Sequence, residues 1–154
     1  MADIWFYHLG QQPLETVLPR ILAGLQARGN RISVHASTRD VLEGISKSLW
    51  TLEDTSFVPH GFSGEPSADT QTLLLCHGVA HFNAPTQQVF IDNTEPEIAA
   101  SAERISIFFD GNDPAAVDNA RTLWKRYSAD GHAIKYWKQA ENGRWEDQAI
   151  KQAA

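Results

Sequence analysis

The sequence predicts a single α/β domain built on a mostly parallel central sheet flanked by helices. Its opening alternates strand, helix, strand, helix, the order that builds parallel sheets. Three further strand-like runs follow, TLLLC at 72–76, QVFID at 88–92 and RISIFF at 104–109. The length of 154 residues suits one domain with one sizeable core.

Asp3–Leu9 (DIWFYHL) is rich in aromatics and reads as the first strand. Pro13 then opens a helical pattern with Leu14, Val17, Leu18, Ile21, Leu22 and Leu25 on one face. Pro19 lies inside that pattern and removes a hydrogen bond, which predicts a kink or a late helix start. Gly29-Asn30 supplies the stop. Arg31–Ser37 alternates like a second strand, and Ser37 or Thr38 can cap a second helix running to about Leu49. Residues 51–70 carry Pro59, Gly61, Gly64 and Pro66 and read as a long ordered loop, a length that is usually functional or disordered. After the three central strands, Asp113-Pro114 starts a last helix that ends near Gly131. His132–Lys138 reads as another strand, and Asn142-Gly143 as a hairpin turn leading to Arg144-Trp145.

Composition narrows the function. Hydrophobic residues make up 42% and charged residues 21%, ordinary for a soluble globular protein. No run approaches the roughly 18 apolar residues of a membrane helix, so a cytoplasmic protein without membrane contact is the simplest expectation. The lone Cys76 excludes an internal disulfide and reads as a small buried hydrophobe. A formal net charge of −6 argues against gripping a long nucleic-acid backbone. The charge is uneven: residues 1–120 hold 6 Lys/Arg against 15 Asp/Glu, and residues 121–154 hold 7 against 4. A small basic patch on an acidic body suits a short acidic ligand better than a duplex.

Motifs for catalysis and cofactors are missing. The first strand runs into HLGQQPLE, with one glycine where a dinucleotide fold needs three, and no P-loop pattern occurs. CHGVAH offers Cys76, His77 and His81, but no Glu follows His77 and no fourth metal ligand is evident. GFSGE (61–65) has four-residue glycine spacing where a nucleophile elbow needs five. The expectation is a protein with no cofactor, no metal and no catalytic residues.

The last helix carries two stripes. At about 100° per residue, Ala116, Ala120, Leu123 and Tyr127 fall together as a core face. Val117, Arg121, Trp124, Lys125 and Ser128 form a second stripe, with an aromatic plane between two cations. This stripe is either a solvated flank with Trp124 tucked against the core edge, or a pocket for an apolar side chain beside a terminal carboxylate. Arginine suits the second use because its fork bonds a carboxylate through two donors. Basic residues near a helix C-terminus also gain from the dipole without any ligand.

FYHL (6–9), SLWTLEDTSFVPHGFSGE (48–65) and NARTLWKRYSADGHAIKYWK (119–138) together resemble the chi subunit of the bacterial DNA polymerase III holoenzyme. The resemblance spans nearly the whole chain in the same order, and LW followed by SFVPH is its specific part. It implies a Rossmann-like fold without a nucleotide, in a non-catalytic accessory subunit of the replicative polymerase. It implies three partners: the psi subunit of the clamp loader, the acidic Phe-terminated tail of single-stranded-DNA-binding protein, and a DinG-like helicase sharing the psi surface. Nucleic acid is then contacted only indirectly. The psi or helicase surface falls on Trp50, Phe57, Pro59 and His60. The tail site falls on Val117, Arg121, Trp124 and Lys125, with Trp124 where the family carries Tyr. Val117 replaces a basic residue of the family, a lost charge for which Arg126 or Lys135 could compensate. The chi-like part spans 1–140, followed by a hairpin and tail at 141–154.

Alternatives remain open on the residues themselves. Trp50 and Phe57 could close the second helix onto the sheet instead of meeting a partner. Trp124, Tyr136 and Trp137 with nearby cations could form a stacking surface for single-stranded nucleic acid. A hydrolase assembled from scattered histidines and carboxylates is the third class.

Overall fold

The computed structural model describes residues 2–10, 12–50, 60–62, 72–77, 84–140 and 145–147, with Trp50 and Asp147 described by backbone alone. In chain order the elements are β1 (Asp3–Leu9), α1 (Leu14–Ala27), β2 (Ile32–Ala36), α2 (Arg39–Trp50), β3 (Gly61–Phe62), β4 (Leu73–His77), β5 (Gln87–Phe90), β6 (Arg104–Asp110), α3 (Pro114–Ala129), β7 (Ile134–Gln139) and β8 (Trp145–Asp147). The strands form one sheet in the order β3-β4-β2-β5-β6-β1-β7-β8. Every neighbouring pair is parallel except β7 and β8, which run antiparallel. The fold is α/β and Rossmann-like, as expected.

Burial on both faces explains why the central strands read as unbroken apolar runs. On one face, α1 and α2 pack Val17, Leu18, Leu22, Leu42 and Ile45 against Leu9, Val34, Leu75 and Phe108 of the sheet. On the other, α3 packs Ala116, Ala120, Leu123 and Tyr127 against Ile4, Phe6, Ile105, Ile107 and Phe109. The core stripe expected for the last helix is thus the buried one.

Helix ends follow the residues that specify them. The side chain of Asp113 accepts a hydrogen bond from the Ala115 N–H at 3.1 Å, with Pro114 at the first helical position. At the far end Gly131 takes φ 88°, and the N–H groups of Gly131 and His132 donate back to Ser128 and Tyr127. α1 ends the same way: Gly29 at φ 87° and Asn30 donate to Gln26 and Leu25. Both glycines relieve the Cβ strain of a left-handed residue.

Three details depart from the sequence-based expectation. Of the kink or late start expected at Pro19, the late start is absent: α1 begins at Leu14 and continues through Pro19, whose side chain is buried. The 51–70 segment contains a two-residue strand, Gly61–Phe62, pairing with Leu74 and Leu75 of β4. β5 stops at Phe90, because Asp92 and Asn93 adopt φ 57° and 54° and turn the chain. The hydroxyls of Ser37 and Thr38 donate to the Asp92 carboxylate at 2.6 and 3.3 Å, tying the start of α2 to that turn.

Candidate functional site

The strand connections leave β1 and β6 in opposite directions, which opens a crevice at the C-terminal ends of the strands. Its cavity of about 550 Å³ is lined by Glu15, Asp92, Asp110 and Asp113 together with Gly10 and Asn112. Four carboxylates there oppose a pyrophosphate by simple Coulomb repulsion, so the Rossmann-like frame lacks the chemistry of its usual ligand.

Basic and aromatic groups gather elsewhere, along the flank of α3 beside β1 and β7. Val117 and Trp124 are half-buried and pack against the second core, whereas Arg121 and Lys125 are exposed. The Trp124 ring lies 5.8 Å from Phe6 and 5.8 Å from Tyr136, edge-on to the latter. Trp124 is therefore anchored on its inner side, and the adjacent cations stand in solvent. Two ion pairs occur among the described residues, Arg39–Glu43 and Arg126–Glu95, and neither uses Arg121 or Lys125.

The register of β1 and β7 brings two further groups to this flank. Phe6 pairs with Tyr136 and His8 with Lys138, so all four share the α3 face of the sheet. Nδ1 of His8 lies 2.7 Å from the Tyr136 hydroxyl. Burial lowers the His8 pKa first, the Lys138 charge lowers it further, Asp110 opposes this, and Arg121 adds to the depression. Burial raises the Tyr136 pKa, with the Arg121 charge acting against it. The guanidinium thus exerts its field on both members of the pair.

The compensating cations expected from sequence lie elsewhere. Arg126 donates to the Glu95 carboxylate and is committed there. Lys135 sits on the opposite face, 5.2 Å from the Trp5 ring and 5.6 Å from the Trp137 ring. Lys138 is the additional cation on the Arg121 side. The stacking-surface alternative meets the same geometry: Trp137 packs with Trp5 on the first core at 5.8 Å, away from Trp124 and Tyr136. Adjacent strand residues point to opposite faces, which splits the three rings between two surfaces.

The other candidate surface lies toward the far edge of the sheet. Trp50 ends α2, with its side chain outside the described residues, and Phe57 and Pro59 lie outside them entirely. His60 is half-buried, its Nε2 2.7 Å from the Ser46 hydroxyl of α2. It leads directly into β3, the outermost strand. Of the Cys76, His77 and His81 set, Cys76 is buried and its thiol is pushed up to about 12 by burial. A neutral thiol is a poor nucleophile. Nε2 of His77 lies 3.0 Å from the Ser37 carbonyl, and His81 is outside the described residues. Among the described residues no helix is long and apolar enough to cross a membrane.

The family described as DNA polymerase III chi subunit, HolC, matches residues 1–135. The chain belongs to that family. Chi is an accessory subunit of the replicative polymerase, which places this chain in DNA replication. The match takes in all of α3, with Val117, Arg121, Trp124 and Lys125, as well as Trp50 and His60. It stops inside β7, so Tyr136, Lys138 and the hairpin to β8 follow the matched span. No curated protein matches the chain.

Proposed function

We propose that this chi family member is a non-catalytic cytoplasmic adaptor. One surface receives the acidic C-terminal tail of single-stranded-DNA-binding protein; the other binds the psi subunit of the clamp loader or, in its place, a DinG-like helicase. Nucleic acid is reached only through these partners. The observation that carries this reading is the α3 flank: Arg121 and Lys125 stand exposed and outside the described ion pairs, beside the half-buried Trp124 and Val117. A terminal Phe packs on Trp124 and Val117, while Arg121 takes the terminal carboxylate through two charge-assisted bonds. Lys125 and Lys138 attract the upstream acids.

The test is a titration of the full chain with a synthetic acidic peptide ending in Phe, beside an oligonucleotide titration. Saturable peptide binding that disappears in Arg121→Ala supports the reading. Peptide binding unchanged in Arg121→Ala, or tight oligonucleotide binding by the chain alone, defeats it.

A further inference from the structure

We propose that His8 and Tyr136 complete the carboxylate site of α3 as a proton-coupled pair, so that binding of an acidic peptide tightens as the pH falls. This rests on the tail-binding reading above and adds two residues and a regulatory property to it.

The pair is built into the sheet. His8 lies on β1 and Tyr136 on β7, on the face that α3 covers, with Nδ1 and the phenolic oxygen 2.7 Å apart. Tyr136 presents its ring edge-on to Trp124 at 5.8 Å, which places it beside the aromatic floor assigned to the peptide's Phe. On its other side the His8 ring is fixed: it packs edge-on against Phe109 at 5.0 Å, and Nε2 lies against the backbone of Gly111. The groups facing His8 are Tyr136 and Lys138 from β7, Asp110 from β6 and Arg121 from α3. Three of the elements around it thus supply charges, two of them positive.

Protonation changes what this pair offers to an anion. A neutral imidazole with its proton on Nε2 accepts the Tyr136 hydroxyl proton, which leaves the phenolic oxygen without a donor for a ligand. An imidazolium has N–H groups on both nitrogens, so Nδ1–H donates to the phenolic oxygen and the O–H turns outward as a donor. Whichever neutral tautomer holds, protonation adds one positive charge beside Arg121. Without a ligand that charge is opposed by Arg121 and Lys138. A carboxylate held at Arg121 relieves the repulsion, and linkage makes the effect reciprocal: the anion raises the His8 pKa, and the proton on His8 strengthens anion binding.

The experiment uses the full chain and a synthetic peptide of aspartates ending in a free Phe carboxylate, titrated between pH 5.5 and 8 at constant ionic strength. The wild-type dissociation constant should fall by about fivefold or more across that range. His8→Gln should still bind but lose the slope, and Tyr136→Phe should bind roughly tenfold more weakly at low pH, the loss of a hydrogen bond to a charged group. The His8 ring proton signals of the wild-type protein, followed by NMR, should titrate at higher pH once the peptide is bound, a readout that needs no variant. A flat wild-type profile with an unmoved His8 titration overturns the proposal. So does wild-type behaviour of both variants while Arg121→Ala loses the peptide, an outcome that leaves the tail site itself intact. If Arg121→Ala binds normally, the tail reading fails and this inference fails with it.

Discussion

Gly111 presses its backbone against the ring of His8: a β-carbon at Gly111 would fall 2.0 Å from Nε2 and 2.6 Å from the Leu9 carbonyl oxygen. The Gly111 N–H donates to that same carbonyl at 2.9 Å, so the backbone cannot retreat without breaking the link between β1 and the start of α3. Gly111→Ala should therefore destabilise the protein by about 1–3 kcal/mol, the cost of overpacking a fixed site. It should also displace His8 from Tyr136. Urea unfolding measures the first effect and the His8 ring signals the second. A wild-type midpoint with unshifted signals would show that the close approach does not constrain the ring.

That relationship marks where reading the sequence stops. The fold was legible because strand and helix periods are local: DIWFYHL, the 3–4 spacing of α1, and Asp113-Pro114 each carry their own signal. The stripe of Arg121, Trp124 and Lys125 was legible because a helix brings residues three and four apart together. His8 and Tyr136 are 128 residues apart and meet only through the register of β1 with β7. Period-2 alternation could have put His8 on the face of Ile4 and Phe6, but no local pattern says which strand lies beside it. For the same reason the sequence alone does not say which face of the sheet Lys135 occupies. Lys135 and Lys138 differ by an odd number of residues on one strand, so they face opposite ways. β3 was illegible for another reason, since two residues including a glycine carry no alternation.

Salt should separate the two cations of α3. In the proposed tail site Arg121 holds the carboxylate at short range, so Arg121→Ala should nearly abolish peptide binding at any ionic strength. On the same proposal the exposed Lys125 acts on charges further along the peptide, a contribution under about 1 kcal/mol that screening removes. Lys125→Ala should weaken binding in low salt and match wild type near 0.5 M, where the screening length is only about 4 Å. Deleting the terminal Phe should cost as much as losing the arginine. Calorimetric titrations at three salt concentrations check all three expectations; equal salt slopes for wild type and Lys125→Ala would remove the lysine from the site.

His8 should make the free protein less stable in mild acid. Its folded-state pKa lies below the ordinary value of about 6.5, chiefly through burial and then through Lys138, with Arg121 adding to the effect. As the pH falls through 6.5 the unfolded chain takes up the proton first, so protonation favours unfolding. The His8 contribution is fully present above that pH and is lost progressively down to the folded-state value. Denaturant midpoints between pH 7.5 and 5.5 should decline, and His8→Gln should flatten part of the decline. Saturating peptide should also flatten it if, as proposed, the bound anion raises the folded-state value. A His8→Gln midpoint that falls as steeply as wild type would assign the acid sensitivity to other groups.

The two proposed surfaces should work independently. β3, beside His60, is the first strand of the sheet, and β7, beside α3, is the seventh. Six strand spacings of about 4.8 Å separate them by roughly 29 Å, beyond several screening lengths at physiological salt. A short peptide on α3 cannot reach Trp50 at the end of α2, because α2 and α3 pack on opposite faces of the sheet. Trp50→Ala should therefore cost roughly 2 kcal/mol or more of psi or helicase binding, the level of an anchoring aromatic. It should leave the thermal unfolding midpoint and the tail-peptide affinity at wild-type values, and Arg121→Ala should give the converse. Surface plasmon resonance with each partner immobilised, in the presence and absence of the other, measures both affinities and their coupling. Equal affinities with and without the second partner are the expected result. If Trp50→Ala unfolds the domain, the ring instead closes α2 onto the sheet, and the partner surface must then be sought among the residues that follow it.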